Sequence, residues 1–65
     1  MPAKLVSQNV YPGNPRLSRG SVYVKQDADG THVYRNDSLK RWYKVWRTSR
    51  GWAVNEYTGD CGCGG

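Results

Sequence analysis

Isoleucine and phenylalanine are absent from this chain, and leucine occurs only at positions 5, 17 and 39. Seven valines, at 6, 10, 22, 24, 33, 45 and 54, complete the supply of large aliphatic side chains. A core built from so few aliphatics must lean on rings. Three tryptophans (42, 46, 52) and five tyrosines (11, 23, 34, 43, 57) are available, each bringing roughly 150–250 Å² when buried. With 65 residues there is room for one domain, and a chain of that length buries only about 60% of its unfolded surface. Rings needed for the core therefore compete with rings free to bind a ligand.

Cysteine is nearly as scarce. Cys61 and Cys63 are the only two, and a bridge between residues so close in sequence constrains almost nothing, so no disulfide framework is encoded. Four ligands are usual for structural zinc. Beside the two sulfurs, His32 is the one further strong donor and Asp60 a weaker one, so no cofactor is expected; zinc through Cys61 and Cys63 is the one metal arrangement the sequence leaves open. Long apolar runs are also missing: nowhere do eighteen apolar residues occur together, and the first residues lack the apolar stretch of a signal peptide. A cytoplasmic or otherwise intracellular protein with no membrane partner is expected, its thiols free or metal-bound in a reducing compartment.

Catalytic apparatus is missing too. There is one histidine, two tail thiols, and carboxylates Asp27, Asp29 and Asp37 at predicted turns; no nucleophile stands beside an evident base, and no phosphate-cradling glycine loop occurs. The chain is not expected to be an enzyme. Helix-turn-helix, zinc-finger and RNA-recognition signatures are likewise absent. The terminal Gly64-Gly65 shares a diglycine end with ubiquitin-like sulfur carriers, with no further pattern in support.

What is present is concentrated. The net charge is +5. Residues 35–50 hold six basic side chains (Arg35, Lys40, Arg41, Lys44, Arg47, Arg50) against Asp37 alone, whereas four basic and four acidic residues cancel elsewhere. The same segment carries Trp42, Tyr43 and Trp46. A basic stripe attracts phosphate backbones through long-range Coulomb forces and counterion release, and interleaved rings offer stacking. The opposing consideration is that lysine and arginine also solubilise exposed faces while their stems cover apolar surface.

Three segments follow from local pattern. Residues 1–20 form a loop-rich N-terminal arm, punctuated by Tyr11-Pro12-Gly13-Asn14-Pro15, with a short strand near Lys4 to Val10. Residues 21–58 form a β-rich core, in which strands at 21–26 and 31–35 flank Asp27-Ala28-Asp29-Gly30, a hairpin turn whose glycine accepts positive φ. Residues 59–65 form a Gly/Cys tail.

Residues 38–49 admit two assignments. Leu39, Trp42, Tyr43 and Trp46 fall at i, i+3, i+4 and i+7, as in an amphipathic helix. Against it, Trp, Tyr, Val and Thr favour strands and Lys40 and Arg41 oppose a helix N-terminus. As a strand, residues 41–48 put Tyr43 and Val45 on one face and Trp42, Lys44 and Trp46 on the other, with Ser49-Arg50-Gly51 turning into a partner strand at 52–57. The strand is preferred. The expected fold is mainly β, an antiparallel sheet of four to five strands curled into a small SH3- or OB-like barrel; the alternative is α+β, ββαβ with a helix at about 38–49.

The functional expectation is a small nucleic-acid-binding module, for DNA or RNA, with phosphate contacts from Arg35, Lys40, Arg41, Lys44, Arg47 and Arg50 and stacking on Trp42 or Trp46. The rival is a protein-interaction module, such as a viral or accessory regulator, that docks on an acidic partner surface or adds its edge strand to a partner's sheet. Which face of the 41–48 strand is buried divides the rings between core and ligand.

Overall fold

The computed structural model describes residues 2–61, and their regular structure is five strands: β1 (Lys4–Tyr11), β2 (Val22–Gln26), β3 (His32–Asn36), β4 (Arg41–Thr48) and β5 (Gly51–Thr58). The helix alternative at 38–49 is overturned. β4 runs as an extended strand through that segment, because its alternating rings and β-branched residues find partners on both sides, β3 and β5.

The β2–β3 turn forms as its residues dictate. Gly30 takes φ +92°, its N–H donates to the Asp27 carbonyl at 2.9 Å, and the Asp27 N–H donates to the Thr31 carbonyl at 2.8 Å. The Thr31 N–H donates to Asp29 Oδ1 at 3.0 Å. At the other end of β4 the loop is shorter than expected. Thr48 pairs with Gly51, which leaves only Ser49-Arg50 outside the ladder. Gly51 is required there: its φ is +128°, and a Cβ would overlap the Tyr11 carbonyl oxygen.

Every ladder is antiparallel, and the strand order is β1-β5-β4-β3-β2. The short N-terminal strand therefore joins the sheet beside β5. The ladders do not close into a barrel, since β1 and β2 stand at opposite edges. That placement has a consequence for the connection between them. Five strands at about 4.8 Å spacing make a sheet roughly 19 Å across, and the ten residues from 12 to 21 reach at most about 33 Å. The connection has length enough to cross one face and too little to wander far from it.

Leu17, in that connection, packs with Tyr11, Tyr34 and Trp52 against the buried cluster Tyr43, Val45 and Val54. The registers put all the strand members of this set on one face, the covered face. The opposite, open face carries Trp42, Lys44 and Trp46 with Val33, Ala53, Asn55 and Tyr57. Val33, Trp42 and Ala53 are nonetheless buried. They are shielded by long neighbours: Val33 lies between Lys25 and Lys44 in the register, and Trp42 stacks on Tyr57 with ring centroids 4.3 Å apart and planes 17° apart.

Candidate nucleic-acid interface

The structure splits the predicted site residues into two groups: Arg35, Lys40, Arg41 and Trp42 line one depression, beside Asp37 and Asp60, and Lys44, Trp46 and Arg47 line another. Because β4 alternates, Lys44, Trp42 and Trp46 lie on the open face and Arg41 and Arg47 on the covered one, while Lys40 and Arg50 sit in the turns at opposite ends of the strand. Arg35, on β3, shares the open face with Trp42, its register partner.

Each basic residue meets a different electrostatic environment. Arg35 pairs with Asp37, Nε to Oδ1 at 3.0 Å, with both side chains substantially exposed; such a pair contributes little to stability and opens readily to another anion. Arg41 is held inward: its guanidinium donates to the Leu39 and Lys40 carbonyls at 3.2 and 3.3 Å and lies 3.9 Å from Glu56 Oε2. Glu56 also accepts from Ser7 Oγ at 3.0 Å and from Tyr43 Oη at 3.4 Å. Arg41 is thus tied to neighbouring groups while its side chain stays 35% exposed. Lys40 has φ +55° in the β3–β4 turn, so its exposed side chain projects from a left-handed residue. Arg47 lies 5.6 Å from the Trp52 ring centroid on the covered face.

The two tryptophans named as stacking candidates differ sharply. Trp42 is 7% exposed, covered by Tyr57 and by Lys44, whose Nζ is 5.8 Å from its ring centroid; its Nε1 has no hydrogen-bond partner among the described residues. The part of the ring left uncovered lines a depression with Arg35, Lys40 and Arg41. Trp46 is only half-buried and separates two shallow depressions. One is lined by Lys44, Arg47, Asn55 and the Asp29–Thr31 turn, the other by Gln8, Val10 and Ala53, with Asn55 shared between them. Sequence reasoning had not selected Asn55, Gln8 or Lys25 for this face. Cross-strand register brings them there: Lys25, Val33, Lys44, Asn55 and Gln8 form one row across the sheet.

Asp29, at the rim, has its carboxyl held below the ordinary value of 3.8, first by the Thr31 backbone N–H, then by the Thr31 side chain, with the Lys44 charge adding in the same direction. Lys44 and this turn line the same depression.

The zinc option is corrected. Cys61 is disulfide-bonded, where a free or metal-bound thiol was expected, and a sulfur in a disulfide is not the thiolate that zinc requires. Among the described residues no group of three or more His, Cys, Asp or Glu is placed to hold a metal ion. Cys63 and Gly64-Gly65 lie outside the described residues. No helix among the described residues is long and apolar enough to cross a membrane.

No family model, curated protein or solved structure matches the chain.

Proposed function

We propose that this protein binds single-stranded nucleic acid on the open face of its sheet, with Trp46 as the stacking ring. The observation that carries the proposal is the position of Trp46: a half-buried indole on the sheet face opposite the crossing connection, beside the cation of Lys44 and the amides of Asn55 and Gln8. Stacking of a base on such a ring is worth about 1–3 kcal/mol and tolerates any base, while the amides can reach base edges. Lys25, Lys44 and Arg35 supply phosphate contacts on the same face, and Lys40 and Arg50 add exposed charge at the two ends of β4. Trp42 serves as core beneath this surface, and Arg41 anchors to Glu56.

The test is tryptophan quenching titrated with oligo(dT) and oligo(rU) over a salt series. We expect log K to fall with log salt by about 0.7 per phosphate contact. Trp46→Ala should weaken binding about 5- to 150-fold, the equivalent of the lost stack. Wild-type affinity in Trp46→Ala, or binding indifferent to salt, would sink the proposal.

A further inference from the structure

On the covered face the crossing connection leaves a groove of about 650 Å³ between itself and the sheet, a volume in the range of specific ligand sites. One wall is a continuous row of rings. Tyr34 meets Tyr23 at 5.3 Å and 74°, Tyr23 meets His32 at 5.7 Å and 53°, and His32 meets Trp52 at 6.2 Å and 49°. Tyr23 Oη and His32 Nδ1 are 3.2 Å apart, which ties the middle of the row together. Val45 lies in the groove, Pro15 and Leu17 form part of its other wall, and Tyr23 is 52% exposed.

We infer that this groove binds a proline-rich segment in polyproline II conformation, flanked by acidic residues, from a partner protein. Three observations support that occupant. Neighbouring rings inclined at 49–74° form V-shaped clefts, not a flat platform. A base lying on one ring would strike the edge of the next, whereas a pyrrolidine ring or a short aliphatic side chain fills such a cleft, and a polyproline helix presents these at a regular rise of about 3.1 Å with little entropy left to lose. The chain already places its own Asn14 and Pro15 in the lining of this groove. The charge is also complementary. Arg19, whose carbonyl is held by Asn36 just beyond Tyr34 on β3, lines one end of the groove; Arg47 lies outside the lining, 5.6 Å from the Trp52 ring centroid; and none of the described lining residues is a carboxylate.

The site is independent of the one proposed on the open face. It is tested on the full chain by ¹⁵N–¹H spectra during titration with a blocked proline-rich peptide carrying glutamate at both ends, in parallel with the same peptide carrying lysine and with oligo(dT). The glutamate peptide should shift the Trp52 indole and the Tyr23 and His32 amides, and the lysine peptide should bind about tenfold more weakly. Tyr23→Ala and Arg19→Ala should each weaken the peptide about tenfold, with the Trp42 indole resonance unchanged as evidence of an intact sheet. Trp46→Ala should leave peptide affinity as in wild type. Shifts confined to the open face, no shift at all, or full affinity in Tyr23→Ala would overturn the inference. So would groove resonances that respond to the oligonucleotide and not to the peptide, which would identify nucleic acid as the occupant.

Discussion

Asn36 holds the crossing connection in place through Arg19: its Nδ2 donates to the Arg19 carbonyl at 2.9 Å and lies 3.3 Å from Ser21 Oγ. Its Oδ1 accepts from the Leu39 N–H at 3.1 Å. This fully buried amide thus joins the connection to the β3–β4 turn. We expect Asn36→Ala to cost about 2–4 kcal/mol, since a buried carbonyl and a turn N–H both lose their partner. Urea denaturation would measure it, and a change below about 0.5 kcal/mol would show that water replaces the amide.

Trp42 and Trp46, four residues apart, should respond oppositely to mutation. Trp42→Ala removes a ring that is 7% exposed and should cost about 3–5 kcal/mol, enough to unfold a domain of this size. Trp42→Phe should fall much closer to wild type, because it also removes the Nε1–H that has no partner among the described residues. Trp46→Ala should stay folded. Thermal unfolding followed by circular dichroism separates the three.

Glycine positions offer a second contrast. Gly51→Ala brings a Cβ onto the Tyr11 carbonyl at a residue with φ +128°, so β5 and the end of β1 cannot both keep their places. We expect a loss of more than about 3 kcal/mol or failure to fold. Gly13→Ala meets nothing within 4 Å and should lie within about 0.5 kcal/mol of wild type. Equal effects at the two positions would contradict the close approach of Tyr11 to the β4–β5 turn.

Asp29 makes the β2–β3 turn acid-sensitive. Its folded-state pKa is lowered, so the stabilisation is present above the unfolded value and is lost as pH falls through the folded one. An NMR titration of the Asp29 carboxyl should give a midpoint below 3.8, and the Thr31 amide should move with it. Lys44→Ala should raise that midpoint slightly. A midpoint at or above 3.8 would mean that the Thr31 hydrogen bond does not persist in solution.

Much of the scaffold is legible along the chain. Val22 to Val24 and Val33-Tyr34 alternate around Asp27–Gly30, and only that turn is compatible with the glycine and the two strands. Residues 41–48 fit helix and strand periodicity equally well on spacing; what decides between them is the presence of β3 and β5 on either side, a non-local condition that no window on β4 contains. No local pattern marks Asn36. Its burial was not foreseeable, because the atoms that bury it arrive from residues 19–21.

Local sequence thus determined the β-rich character, the hairpin at 27–30, the concentration of charge in 35–50 and the two alternating sets on β4, since each depends on side-chain chemistry and a period of two. Alternation names two faces without ranking them. The ranking came from topology: β1 pairs with β5 at one edge while β2 stands at the other, so residues 12–21 must cross one face, and Leu17 lands on Tyr43, Val45 and Val54. That single crossing buried one face, left Trp46 on the other, and bounded a groove along Tyr23, His32 and Trp52.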